Sequence, residues 1–130
     1  MRLARQAISF LFSALFCFGA WAQAYPTQPI KLVLPFAAGT GSEAALRMIA
    51  ERLGAVLKQP IVFENRPGAG STLGADLVAK AAPDGYTLLM GSITTNAVNP
   101  VLYKKLPYDH IRDFAPISMV GTAPNALDCG

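Results

Sequence analysis

Two glycine-rich segments each stand between a short apolar run and a stretch with helical periodicity. Gly39-Thr40-Gly41 follows the apolar run 30–35, and Gly68-Ala69-Gly70 follows the run 61–64. Glycine lets backbone N–H groups come close to a ligand. A helix that begins after such a loop adds its unpaired N–H groups and the positive end of its dipole. Each segment can therefore help to bind an anion without a charged side chain.

The first segment also fits a dinucleotide-binding pattern. Gly39 to Ala44 reads G-x-G-x-x-A after a predicted strand, and Glu64 ends the next strand, where an acid can meet a ribose hydroxyl. Against this reading stand Pro35 at the strand end, the export signal described below and the second glycine-rich loop directly after Glu64. Neither loop continues into the Lys and Ser/Thr of a P-loop. An exported enzyme that uses a dinucleotide or acts on a carboxylate therefore stays the alternative, and a structural or interaction domain is the third hypothesis.

Few residues suit catalysis or metal binding. His110 is the only histidine, and no G-x-S-x-G nucleophile turn occurs. Cys17 and Cys129 are the only cysteines. We therefore predict no catalytic residue, no metal site and no cofactor. Arg66 can pair with a carboxylate ligand or hold the geometry of its own loop, and the sequence leaves both roles open.

The first 24 residues have the layout of a secretory signal peptide. Arg2 and Arg5 form a positive start, residues 7–20 are mostly apolar, and small-x-small sites end at Ala22 and Ala24. The run is shorter than the ~20 residues of a membrane span. We predict cleavage after residue 24 and a periplasmic location. Removing the two arginines lowers the formal charge from +3 to +1, which gives no electrostatic reason to expect a nucleic-acid partner.

The loops are positioned by an alternation of predicted strands and helices. We predict strands at 30–35, 61–64 and 86–91, a helix at 42–58 with Ser42 as N-cap, and a second helix at 73–81. Residues 92–96 are predicted as a polar loop, 99–113 as an irregular connection and 115–120 as a fourth strand. This order indicates an α/β fold with a parallel sheet and flanking helices. Ligands of such sheets bind beyond the carboxyl ends of the strands.

From Tyr25 to about Asn125 the sequence resembles the substrate-binding receptors of tripartite tricarboxylate transporters, the Bordetella uptake gene family. No single segment is specific, but six occur in order at the family's spacing. The segments are Tyr25-Pro26 with Pro29-Ile30, Leu34 to Gly39, Glu64 to Gly70, Ala79 to Leu88, Asn99 to Tyr103, and Leu106 to Asp109 with Asp113 to Ser118.

The resemblance implies a periplasmic-binding-protein-like fold of two domains that close around a small carboxylate. It implies that transporter membrane components receive the closed form. The residues it places at the ligand are Ala38, Gly39, Thr40, Gly41 and Ser42 of the first loop, with Ser92 and Thr94 after the third strand. It implies a scaffold role for Arg66, Gly68 and Gly70.

The chain departs from the family pattern in the first loop and at its end. Thr40 stands where the family usually has a second glycine, and Glu43 stands where it usually has Asp. Two domains need about 200–300 residues, whereas residues 25–130 suffice for one. We therefore predict that residues 25–130 are the first domain only of a two-domain fold, and that the chain is a truncated copy of a receptor.

Overall fold

The computed structural model describes residues 25–122. The predicted signal peptide at 1–24 and the last eight residues, with Cys129, lie outside the described residues. Within 25–122, no helix combines the length and apolarity required to cross a membrane.

Three parallel strands form the sheet, and helices connect them. The strand order is β2-β1-β3, so β1 is central and pairs with both neighbours. The parallel α/β arrangement predicted from the sequence is thereby confirmed. The elements in chain order are β1 Ile30–Leu34, α1 Gly41–Leu57, β2 Ile61–Asn65, a 3-10 turn Ala69–Ser71, α2 Thr72–Ala79 and β3 Thr87–Leu89.

The core lies around the central strand. Val33 and Leu34 of β1 are fully buried, and Leu46 of α1 and Ala75 of α2 are also buried. Fully burying a valine or leucine side chain stabilises the fold by about 1.5–3 kcal/mol. The predicted apolar face of α1 is only partly a core face, because its Ile49 is 46% exposed.

The start of α1 differs from the prediction by two residues. The N-cap is Thr40, whose hydroxyl accepts a hydrogen bond from the Glu43 N–H at 3.3 Å. The prediction that Ser42 caps the helix was wrong, because Ser42 already lies inside the first turn. Both residue types suit the N-cap, and Thr40 takes that position because its backbone is extended, with φ −78° and ψ 152°.

The region after β3 is more regular than predicted. Residues 92–96 were expected to form a loop and 99–113 an irregular connection. Instead, a π-helical turn spans Thr94–Val98 and continues directly into α3, Asn99–Leu102. Both expectations were therefore wrong for the helical part of this region.

Proline explains why this helical segment needs a tertiary partner. The Asn99 N–H bonds to the Thr94 carbonyl, five residues back. The Thr95 carbonyl then finds no helical donor, since Asn99 is already engaged and Pro100 has no N–H. The hydroxyl of buried Tyr108 supplies the missing bond at 2.8 Å. Tyr108 thus satisfies a polar group that the helix leaves unpaired.

The predicted fourth strand is absent from the described residues. Residues 115–120 have no ladder partner, and Ile117 and Met119 are 79% and 78% exposed. Apolar alternation alone does not make a strand, because a strand also needs a neighbour whose N–H and C=O groups pair with its own. In this structure β3 pairs only with β1.

Candidate functional site

The loops predicted to bind the ligand leave the sheet at one edge. The Arg66 N–H, just after β2, donates to the Leu34 carbonyl at 2.8 Å. The Met90 N–H, just after β3, donates to the Val33 carbonyl at 2.9 Å. Because all three strands are parallel, the segments after them lie beside one another at this edge.

The first loop, residues 36–42, includes the first two residues of α1 and is exposed except at the half-buried Phe36 and Thr40. One position in it depends on glycine. Gly39 has φ +86°, a left-handed conformation that favours glycine. Thr40 has an ordinary extended backbone, so threonine fits without strain where the family usually has a second glycine. Ala38, Gly41 and Ser42 are exposed, and a Cβ on Gly41 would meet no atom within 4 Å. The surface around Gly41 is therefore open.

The N–H groups of this loop divide into engaged and available donors. The Gly39 N–H donates to the Glu43 carboxylate at 2.9 Å. The Glu43 and Ala44 N–H groups both donate to the Thr40 carbonyl. The N–H groups of Gly41 and Ser42 have no acceptor within residues 25–122. These two groups open α1, where unpaired donors and the helix dipole favour an anion.

Glu43 is the centre of a buried polar cluster under the first loop. Its side chain accepts from Arg47 Nε at 3.1 Å and from Asn65 Nδ2 at 3.3 Å, in addition to Gly39. The residue is only 4% exposed. Hydrogen bonds from Arg47 first, then from the Gly39 N–H, lower the pKa of the Glu43 carboxyl. The Arg47 guanidinium also lies 4.8 Å from the centre of the Phe63 ring.

The second loop accepts hydrogen bonds from an asparagine of α3. Asn99 is 2% exposed, and its Nδ2 donates to the Gly70 carbonyl at 2.7 Å and to Thr72 Oγ1 at 3.3 Å. Gly68 has φ +126°, and a Cβ there would lie 2.8 Å from Leu73 Cδ1. The loop is therefore fixed by both its backbone conformation and its contacts.

Arg66 and Glu64 are paired with each other. Arg66 Nε donates to Glu64 Oε1 at 2.6 Å, and Lys31 Nζ lies 2.9 Å from Glu64 Oε2. Lys31 first, and then Arg66, lower the pKa of the Glu64 carboxyl. Within the described residues the Arg66 side chain bonds to Glu64 and not to a carbonyl of its loop, and a contact between Arg66 and a ligand stays a prediction. The Glu64 carboxylate, considered for a ribose hydroxyl, is occupied by these two cations.

In the segment after β3, two hydroxyl groups make hydrogen bonds to backbone N–H groups of the same segment. The Ser92 N–H donates to Thr95 Oγ1 at 2.9 Å, and the Thr95 N–H donates to Ser92 Oγ at 3.3 Å. Thr95 is fully buried. Thr94 is half-buried, and its hydroxyl makes no hydrogen bond to any residue of the described chain. Of the two residues predicted here, Thr94 has the freer hydroxyl.

Two asparagines connect the first loop, the second loop and the segment after β3 by hydrogen bonds. Asn65 links the second segment to the first, through the Phe36 carbonyl at 3.2 Å and through Glu43. Asn99 links the second segment to the third. Within residues 25–122, no hydrogen bond joins the first loop directly to Ser92 or Thr94. Neither asparagine was predicted as a site residue, although one ends a strand and the other precedes a proline.

A groove of about 420 Å³ lies along α1, from Arg47 to the C-terminal end of the helix. Arg47 and Gly54 of α1 line it together with Lys58, the C-cap residue, and with Pro60 and Phe63. It does not include any residue of the predicted ligand loops. In residues 25–122, no three His, Cys, Asp or Glu side chains are grouped so that they could hold a metal.

Comparison with known sequences identifies a matching family. A family model described as the tripartite tricarboxylate transporter family receptor matches residues 45–129. Protein BugT of Bordetella pertussis is 42% identical over 107 residues, covering 82% of this chain and 33% of BugT. The chain spans about a third of the length of the curated relatives it matches.

Solved structures with the same fold include receptors described with carboxylates. MatC from Rhodopseudomonas palustris, with bound malate, has a TM-score of 0.67 and 41% identity, covering 71% of this chain and 31% of MatC. Rpa4515 of R. palustris, with adipate, has a TM-score of 0.62 and 36% identity, covering 66% of this chain and 29% of that one. The resemblance noted from the sequence segments is thereby confirmed.

Proposed function

The chain belongs to the tripartite tricarboxylate transporter receptor family, and from this we propose that it captures a small carboxylate as a periplasmic solute-binding receptor. Its partners are then a small carboxylate ligand and the membrane components of the transporter. Relatives described with malate and with adipate support this class of ligand. Receptor function needs no catalytic group, metal or cofactor.

The observation that carries the proposal is the pair of unengaged N–H groups at the start of α1. Gly41 and Ser42 present these donors on an exposed surface, at the positive end of a 17-residue helix. Two adjacent N–H groups suit the two oxygens of one carboxylate. No cation is needed at this point, and Arg66, which the sequence suggested as a carboxylate partner, is paired with Glu64.

The other predicted residues take supporting roles in this proposal. Ala38, Gly39 and Thr40 shape the first loop, and the hydroxyls of Thr94 and Ser92 face the remaining part of the ligand. Gly68 and Gly70 shape the second loop, and Arg66 takes part in this scaffold only through its ion pair with Glu64 at the end of β2. In the longer relatives, further chain is available to cover the ligand, and we propose that closure over the ligand depends on such a second domain.

A titration followed by amide NMR tests the proposal. Malate and adipate are added separately to the ¹⁵N-labelled chain, and the corresponding neutral diamides serve as controls. We expect saturable shifts centred on the Gly41 and Ser42 amides with the acids only, because the donors need an anionic partner. Equal shifts with the diamides, or no shifts at these two amides, would contradict the proposed site.

A further inference from the structure

The buried carboxylate under the first loop contacts the loop, the helix and the end of β2. We propose that Glu43 is a positioning residue, which holds the first loop in the conformation that presents the Gly41 and Ser42 N–H groups. This inference rests on the proposed function, because it assigns how the proposed binding loop is kept in place. It also divides the loop: Gly39 is anchored inward, and its N–H is not a ligand donor.

The contacts of Glu43 reach three separate parts of the chain. One oxygen accepts from the Gly39 N–H at 2.9 Å and from Asn65 Nδ2 at 3.3 Å, and the other accepts from Arg47. Gly39 belongs to the loop, Asn65 ends β2, and Arg47 lies one turn further along α1. The loop is therefore tied to both the sheet and the helix through one side chain.

The backbone of Gly39 needs a hydrogen bond of this kind to keep one conformation. Gly39 is exposed and has φ +86°, and a Cβ there would meet no atom within 4 Å. Packing therefore does not hold Gly39 in place, and its conformational freedom is the largest of any residue type. The hydrogen bond to Glu43 is the contact that selects one conformation.

Arg47 makes this arrangement compatible with an anionic ligand. A lone carboxylate under the loop would repel a second carboxylate bound at Gly41 and Ser42. Arg47 pairs with Glu43 and so cancels this charge locally. The Glu43–Arg47 cluster therefore fixes the conformation of the loop without adding net charge. The N-terminus of α1 remains the positive feature of the site.

Hydrogen exchange of the Gly39 amide tests its hydrogen bond to Glu43 without any ligand. In Glu43→Met the side chain keeps its approximate size and loses its acceptors. We expect the Gly39 amide to exchange about 10- to 150-fold faster, the equivalent of losing one hydrogen bond to a charged group. The matched control is Asp76→Asn, which removes the acidic charge from another (i, i+4) acid–base pair, between α2 and its C-cap residue Lys80, away from the loop. Unchanged Gly39 exchange in Glu43→Met, or an equal change in Asp76→Asn, overturns the inference.

Malate binding by the same variants tests the positioning role. Charge alone predicts tighter binding in Glu43→Met, because a negative group is removed and Arg47 is set free. Positioning predicts weaker binding, by about tenfold or more, with Asp76→Asn close to wild type. Faster Gly39 exchange without weaker binding overturns the positioning role. If the wild-type chain binds neither malate nor adipate, the proposed function fails, and the exchange experiment still decides whether Glu43 holds the loop.

Discussion

Replacing Gly41 by proline removes one N–H group at the site and leaves the helix able to form. Gly41 is the first residue of α1, a position that proline favours because its missing N–H is unpaired in any case. Thr40 has φ −78° and ψ 152°, which is the extended region that a residue before proline requires. A Cβ at this position meets no atom within 4 Å. The fold should therefore tolerate Gly41→Pro.

The expected loss of binding follows from the bond that disappears. A hydrogen bond from a backbone N–H to a carboxylate is worth about 1.5–3 kcal/mol. Losing it weakens binding by about 10- to 150-fold. The proline ring also fills the space of the amide hydrogen, so the loss should lie towards the upper part of this range. Stability should stay the same or rise by about 0.4–1 kcal/mol, because proline restricts the unfolded chain.

The assay compares malate affinity, measured by NMR titration, for the wild type, Gly41→Pro and Gly41→Ala. The alanine variant keeps the N–H and adds the same Cβ, so its affinity should match the wild type. Thermal unfolding of the three proteins checks that the fold is retained. Equal affinity of the proline and alanine variants would refute the argument that the Gly41 N–H binds the ligand.

Three further predictions concern the supports of the site. Tyr108→Phe should lower the free energy of unfolding, measured in urea, by about 1–3 kcal/mol, because the Thr95 carbonyl loses its donor; an unchanged value would show that water replaces the hydroxyl. Asn99→Ala should cost a similar amount, about 1–3 kcal/mol, and should speed proteolysis near Gly70, which an intact cleavage pattern would contradict. The pKa of Glu64 is lowered in the folded chain, so its contribution to stability is present above about pH 4.3 and is lost as the pH falls through the lower folded value. Glu64→Gln should therefore flatten the decrease of Tm on acidification, and an unchanged pH profile would contradict this.

The sheet and its two crossover helices could be predicted from the sequence because their signals are local. Apolar runs, helical periodicity and glycine-rich turns alternate, and the parallel arrangement follows from that order. The location of the first loop at the carboxyl edge follows from the same rule. The cap at Thr40 was missed because Thr40 and Ser42 are both good N-cap residues, and only the extended backbone at Thr40 distinguishes them.

The region beyond β3 depends on distant contacts and could not be predicted in the same way. The π-helical turn at Thr94–Val98 relies on Tyr108, which donates to a carbonyl 13 residues earlier in the chain. The second loop relies on Asn99, 29 residues away from Gly70. No local pattern encodes such pairs. The predicted strand at 115–120 failed for the opposite reason, because its local pattern is strand-like but no strand of the described residues pairs with it.

The central position of β1 also sets an order of assembly. Residue 30 pairs with residue 61 in β2, whereas residue 31 pairs with residue 87 in β3. Closing the longer connection costs about 0.5 kcal/mol more chain entropy. We expect β1, α1 and β2 to form the early folding unit, with β3 adding later. The first loop is bonded to Asn65 at the end of β2. It would therefore reach its final conformation before β3 and the segment with Ser92 and Thr94 join the sheet.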